Sequence, residues 1–131
     1  MRLMEKKTVL LVLCRRVIAD LMIEKINQRP KLKAHGIYSY REAMSAAKTY
    51  KPHIALVEIP EAQGEPAKEA FQVCMVIKEQ CPDCKIVLLC PENDDQSVEF
   101  CVETKNRGDI EAFLFYESSP KYLVSQLEAL T

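Results

Sequence analysis

The sequence predicts a doubly wound α/β domain, in which helices cover both faces of a five-stranded parallel sheet. Short apolar runs alternate five times with segments whose apolar residues recur at helical spacing, and prolines or glycines separate many of these segments. The chain also has 131 residues, of which 48% are hydrophobic, so residues 1–131 are expected to form one domain around one core. Strands that alternate with helices in this way pair in parallel through right-handed crossovers.

The first strand is predicted from the uninterrupted apolar run 8–14, which is typical of a strand covered on both faces. A helix follows and ends before Pro30. Its predicted inward residues are Val17, Ile18, Leu21, Met22 and Ile26. Residues 33–39 are more polar, and they predict a second strand near an edge of the sheet.

The second helix is predicted from a capping box, in which Ser39 precedes Glu42 by three residues. The inward residues predicted for this helix are Ala43, Met44, Ala46, Ala47 and Tyr50. The third strand, within residues 53–60, is an apolar run that carries a single carboxylate, Glu58, to its end. In a parallel α/β sheet, ligands gather at the carboxyl ends of the strands.

The remaining elements follow from the same two periodicities. A third helix ends at Pro82, and residues 85–90 form a buried fourth strand. Asp94 or Asp95 can cap a fourth helix, for which Val98, Cys101 and Val102 are the predicted inward residues. Residues 110–116 predict the fifth strand. Ser119 and Pro120 then begin a last helix, with Leu123, Val124, Leu127 and Leu130 inward.

Charge and hydropathy exclude several classes of function. The formal net charge is −1, which gives no overall field for nucleic acid or anionic membranes. No apolar stretch reaches the roughly 20 residues that a membrane span needs. The run 8–14 is followed by two arginines and lacks the small residues of a signal-peptide cleavage site, so we expect a cytoplasmic protein.

The six cysteines lie mostly in apolar or strand-like segments, where a free thiol behaves as a small hydrophobic group. Cys81 and Cys84 form the single close pair. A redox CxxC motif stands after a strand and before a helix, whereas this pair stands in the reverse order. No second pair or nearby histidine completes a zinc site. The interpretation that we favour is coincidence, and an oxidation-sensitive pair is the alternative.

The chain resembles the receiver domain of bacterial two-component response regulators. The resemblance extends over residues 8–130 and is most specific in residues 50–58, 81–89 and 112–123, which are similar to the third, fourth and fifth receiver strands with their flanks. It implies a flavodoxin-like (βα)5 sheet with strand order 2-1-3-4-5. It also implies phosphoryl transfer to an aspartate at the end of the third strand, assisted by Mg²⁺.

The residues that this chemistry needs are replaced at every position. By resemblance, Glu58 stands at the phosphoacceptor position, Leu13 and Cys14 replace the metal-binding acidic pair, Cys90 replaces the hydroxyl, and Tyr116 replaces the lysine. Mg²⁺ demands near-octahedral oxygen ligation, which one carboxylate beside leucine and thiol cannot supply. We therefore predict a degenerate pseudo-receiver with no catalytic residues, no metal and no cofactor.

Glu58 admits two interpretations. It can mimic a permanently phosphorylated aspartate, or it can be a solvated strand-end residue in a receiver that lost its chemistry. The second is favoured because the hydroxyl and lysine that would sense the charge are missing. Arg15 and Arg16 are expected to point to solvent, although either could replace the lysine. Phe113 matches the family's switching aromatic, and core packing is its favoured role.

An enzyme based on Cys14 is the main rival. Phosphocysteine carriers and low-molecular-weight phosphatases place a nucleophile at this point of a similar fold. Their phosphate loops are rich in glycine and serine, whereas Cys14 is followed by two arginines, valine and isoleucine. Flavin binding is excluded on the same ground, because none of the three glycines follows a strand in a phosphate-loop pattern.

The favoured function is a signalling module that acts by phosphorylation-independent protein–protein interaction. In the family, the fourth helix, fifth strand and fifth helix form the surface for a second copy or an output domain. The exposed candidates in those segments are Glu99, Glu103, Glu111, Lys121 and Tyr122. We expect a homodimer or partner domain there, with no direct contact to nucleic acid or membrane. The chain can also be the regulatory part of a transcriptional regulator.

Overall fold

The computed structural model describes residues 5–131, so residues 1–4 of the predicted domain lie outside the described residues. Five parallel strands form one sheet in the order β2-β1-β3-β4-β5, which confirms the predicted doubly wound, flavodoxin-like topology. The strands are β1 (Lys7–Val12), β2 (Leu32–Ile37), β3 (Ile54–Glu58), β4 (Lys85–Cys90) and β5 (Ala112–Phe115). The helices are α1 (Arg16–Asn27), α2 (Ala43–Tyr50), α3 (Pro66–Gln80), α4 (Asp95–Asn106) and α5 (Pro120–Ala129).

Two apolar layers bury the sheet, one on each face. Helices α2, α3 and α4 pack on one face, and α1 and α5 pack on the other. The three inner strands are almost entirely buried, as their continuous apolar runs predict. None of the helices in residues 5–131 is long and apolar enough to cross a membrane.

The helix caps follow local chemistry. Asp94, not Asp95, caps α4, because its Oδ1 accepts a hydrogen bond from the Ser97 backbone N–H. Ser119 caps α5 by accepting from the Tyr122 N–H, and Pro120 occupies the first turn. Ser39 also caps, but it begins a short 3₁₀ helix over Tyr40–Glu42, and α2 starts only at Ala43.

Several inward positions were predicted wrongly. Val17 is 82% exposed and Val102 is 42% exposed, whereas the buried stripes run through Ala19, Met22 and Ile26 in α1 and through Ser97, Cys101 and Thr104 in α4. Leu21, Met44 and Tyr50 are exposed as well. The buried stripe of α4 includes two hydroxyl groups: Ser97 donates a hydrogen bond to Asp94, and Thr104 donates one to the Phe100 carbonyl. A search for apolar spacing does not identify such buried polar positions.

Candidate functional site

Glu58 is the last residue of β3, and its position at the carboxyl edge is set by the sheet register. Its Cα pairs with that of Leu89 in β4, and β1 runs along the other side of β3. The expectation that Glu58 is solvated was wrong, because its side chain is only 3% exposed. Burial of a carboxylate costs free energy unless a partner compensates its charge.

Arg15 supplies that partner. Its Nε donates to Oε2 of Glu58 at 3.3 Å, and its side chain stays 43% exposed. The expectation that Arg15 points to solvent was therefore wrong. Arg15 is the N-cap of α1 and lies three residues after the end of β1, which is the strand that pairs with β3, so its backbone is close to the end of β3. The other carboxylate oxygen, Oε1, is buried without a hydrogen-bond partner among residues 5–131.

Tyr116 covers the ion pair from the β5 side. The Arg15 guanidinium carbon lies 4.1 Å from the centre of the Tyr116 ring, within the range of a cation–π contact. The Tyr116 hydroxyl donates to the Ile59 carbonyl at 2.5 Å. Burial raises the pKa of Tyr116 well above the usual value, the Glu58 charge raises it further, and Arg15 opposes them. Glu58, Arg15 and Tyr116 thus form one stacked group, here called the Glu58 cluster.

Tyr40 contacts the backbone of the Glu58 cluster. Its hydroxyl donates to the Glu58 carbonyl at 2.6 Å, and burial raises its pKa far above the usual value. Arg15 was considered only as a possible replacement for the lysine, and Tyr40 was not predicted as a site residue. A signal for Arg15 existed, since a basic residue directly after a buried strand stands at the edge where Glu58 ends. No local pattern pointed to Tyr40.

The other predicted pocket residues differ in their burial and do not face one common pocket. Leu13 is fully buried in the layer under α1 and α5, whereas Cys14 is exposed. Cys90 is buried and donates its S–H to the Pro91 carbonyl at 3.5 Å. Partial burial and then the Glu58 charge raise the pKa of the Cys14 thiol, and Arg15 opposes the rise. A nucleophilic thiol needs the opposite shift.

The residues at this edge do not fit Mg²⁺. Leucine and thiol stand where the metal would need carboxylates, and Arg15 already holds one oxygen of Glu58. Within residues 5–131, no group of three histidine, cysteine or acidic side chains is arranged to hold a metal ion. A cleft of about 760 Å³ lies near this edge, between residues 62–68 and the first turns of α4, and its lining does not include Glu58.

Phe113 and the predicted interaction residues lie toward the β5 edge of the sheet. Phe113 is half-buried against the layer formed with α2, α3 and α4, and it meets Phe115 edge to face at 5.8 Å between ring centres. The predicted interaction residues are all exposed: Glu99, Glu103, Glu111, Lys121 and Tyr122. They flank edge strand β5, because α4 and α5 cover opposite faces of the sheet beside it.

Comparison with solved structures shows the fold. A response regulator from Thermotoga maritima superimposes with a TM-score of 0.74 and 17% identity, covering 95% of this chain and 97% of the other. A CheY-like response regulator receiver domain protein from Methanospirillum hungatei JF-1 gives 0.73 and 16%, covering 96% and 94%. A structure of adenylate cyclase from Rhodopirellula baltica gives 0.77 and 17%, covering 95% and 87%.

The chain therefore has the fold of these receiver domains. No protein-family model matches the sequence, and no curated protein matches it. At such identities the likeness extends to the fold and not to individual site residues.

Proposed function

We propose that this chain is a receiver-like signalling domain that does not accept a phosphoryl group and acts by binding a protein partner. The observation that carries the proposal is the Arg15–Glu58 ion pair. It places a permanent cation against the carboxylate at the point where a receiver holds metal and phosphate. Phosphoryl transfer depends on cations that neutralise charge developing on the phosphate. Here the neighbouring cation is already paired.

The Glu58 cluster also revises the case for mimicry of an activated state. Mimicry needs a group that responds to the negative charge, and Arg15 is such a group. Because Arg15 also stacks on Tyr116, the charge of Glu58 is linked to the residue that follows β5. We infer that the cluster holds the β5 end of the domain in one conformation without phosphorylation.

The partner surface that we propose is the β5 surface, defined as Glu99, Glu103, Glu111, Lys121 and Tyr122. It combines an edge strand, which has an unpaired side, with an aromatic side chain that is 51% exposed. Tyrosine is enriched at protein interfaces. The occupant is a second copy of the chain or an output domain.

A Cys14 enzyme gains no support from the geometry. The thiol is exposed, but burial of part of its surface and the Glu58 charge raise its pKa. An activated cysteine would need a net positive environment. We therefore propose that the chain is not an enzyme.

Incubation with acetyl phosphate and Mg²⁺, followed by intact-mass analysis, tests the first half of the proposal. A phosphorylatable receiver domain serves as the positive control. We expect no adduct on the wild-type chain and none on Glu58→Asp, because that variant restores the acceptor but no metal ligand. An acid-labile adduct on Glu58 would overturn the proposal, and a thiol-linked adduct on Cys14 would restore the enzyme.

Light scattering coupled to size-exclusion chromatography tests the second half, across a range of protein concentrations. If the β5 surface pairs two copies, Tyr122→Ala lowers the dimer fraction. Met44→Ala is the matched control, since Met44 is 45% exposed on α2, away from β5. A monomer at high concentration, together with partner capture that Tyr122→Ala does not weaken, would overturn the proposed surface.

A further inference from the structure

Cys81 and Cys84 stand at the two ends of one tight turn. The Cys84 backbone N–H donates to the Cys81 carbonyl at 3.0 Å, which closes a four-residue turn between α3 and β4. Such a turn brings its first and last Cα atoms within about 7 Å. Disulfides span Cα separations of about 4.4–6.8 Å, so this backbone can accept a bridge without moving far.

The two thiols differ in access. Cys84 is 1% exposed, and its Sγ contacts the Lys85 carbonyl at 3.8 Å. Cys81 is half-buried, and its S–H donates to the Ala47 carbonyl at the end of α2. Both line a cleft of about 470 Å³ at the amino edge of the sheet, away from the Glu58 cluster. A reagent in solution can therefore reach Cys81 first.

The cleft carries charge that suits an anionic reagent. Lys48 and Lys51 line it, and Asp83 is the acidic residue among the lining residues. Lys78 lies close as well, since its Nζ donates to the Cys84 carbonyl at 2.7 Å. Burial raises the pKa of the Cys84 thiol to about 12, with a further rise from Cys81 and a lowering by Lys78. The buried thiol is thus a poor initial nucleophile at neutral pH.

We propose that Cys81 and Cys84 form a thiol–disulfide exchange site for low-molecular-weight disulfides that carry carboxylates. The Cys81 thiolate attacks one sulfur of the reagent, whose S–S bond breaks, and the other half leaves as a thiolate. Cys84 then loses its proton to solvent and attacks Cys81 Sγ. The intramolecular S–S bond forms as the second half leaves. Two protein thiols are oxidised, one reagent disulfide is reduced to two thiols, and two protons balance the two leaving thiolates.

Oxidised glutathione is the probe for the test, applied to the native full chain and followed by acid quenching and peptide mapping. In the wild type we expect a Cys81–Cys84 disulfide, with a mass loss of about 2 Da for two thiol hydrogens. In Cys84→Ala the second step is blocked, so one glutathionyl group accumulates on Cys81. In Cys81→Ala we expect modification of Cys84 to be slower by about tenfold or more, because that thiol is buried.

Cys14→Ala is the matched control, since it removes an exposed thiol at the opposite edge of the sheet and leaves the turn intact. We expect this variant to form the Cys81–Cys84 bridge at the wild-type rate. Cys84→Ser, checked for folding by circular dichroism, provides a second trap if the alanine variant unfolds. Glutathione found on Cys14 alone in the wild type, or no adduct on Cys81 in either folded trap variant, would overturn the proposal.

Discussion

Loss of the Arg15 guanidinium is expected to destabilise the fold through Glu58. The substitution Arg15→Met keeps an extended apolar stem and removes the charge. It leaves a carboxylate whose side chain is 3% exposed without its cation. An unpaired buried charge is among the most destabilising outcomes of a single substitution.

The magnitude follows from the geometry of the pair. At 3.3 Å, two unit charges attract by about 5 kcal/mol at an effective dielectric constant of about 20. Removing one partner of a fully buried pair costs about 3–5 kcal/mol, whereas an exposed pair contributes about 0–1 kcal/mol. Because Arg15 is 43% exposed, water can partly replace it. We therefore expect Arg15→Met to lower the free energy of unfolding by about 1.5–3 kcal/mol.

A double-mutant cycle with Glu58→Gln separates the ion pair from other effects of the substitution. In the Glu58→Gln background no buried charge remains, so Arg15→Met should cost less than about 0.5–1 kcal/mol, chiefly the lost contact with Tyr116. Arg16→Met is the matched control. Arg16 lies next in sequence and stacks on Tyr38 at 4.2 Å, close to the 4.1 Å of Arg15 on Tyr116, but has no ion pair with a carboxylate among residues 5–131.

Urea unfolding followed by far-ultraviolet circular dichroism measures all five proteins, and the slopes with urea must agree for the comparison to hold. Equal destabilisation by Arg15→Met and Arg16→Met would contradict a stabilising role for the ion pair. The same conclusion would follow if Arg15→Met cost as much in the Glu58→Gln background as in the wild type.

Three further outcomes are expected. Asp94→Ala should lower the free energy of unfolding by about 1–3 kcal/mol, because it removes the α4 cap and orphans the buried Ser97 hydroxyl, while Asp95→Ala costs about 0.5 kcal/mol; urea unfolding distinguishes them. Lys51→Gly should raise the melting temperature, gaining about 0.5 kcal/mol, because Lys51 has φ 47°. The pKa of Tyr116 is higher in the folded chain than in the unfolded chain, so the unfolded chain loses the phenol proton first as the pH rises. The contribution of Tyr116 to the free energy of unfolding is therefore complete below pH about 10 and declines above it. Melting curves of the wild type and Tyr116→Phe at rising pH should converge.

Much of the fold could be read from local pattern. The order of strands and helices followed from the alternation of apolar runs with helical spacing, and β4 was predicted at its observed bounds, Lys85–Cys90. The cap at Ser119 was predicted, and Asp94 was one of the two residues predicted for the α4 cap, because a cap is a contact between residues two or three apart. The placement of Glu58 at the carboxyl edge needed only the strand and its direction.

The rotation of each helix about its own axis, which decides the face that packs on the sheet, was harder to predict from the sequence. Val17 and Val102 look inward by composition, but the faces of α1 and α4 that pack on the sheet are set by contacts with other elements. A one-position change rotates a helical residue by about 100°, since 3.6 residues make a turn. Local spacing alone could not fix that angle.

The order of apolar runs and helical segments was sufficient to predict the architecture and the edge of the sheet at which Glu58 ends. The resemblance to receiver domains predicted, in addition, that the residues required for phosphoryl transfer are replaced. The burial of Glu58 and its ion pair with Arg15 beside Tyr116 became visible only in the folded chain. Arg15 and Glu58 lie 43 residues apart in the sequence, and the pairing of β1 with β3 brings the segments that carry them together. The spacing of apolar residues indicates which secondary-structure element a residue belongs to. Whether a buried charge is compensated depends instead on the side chains that other elements place against it.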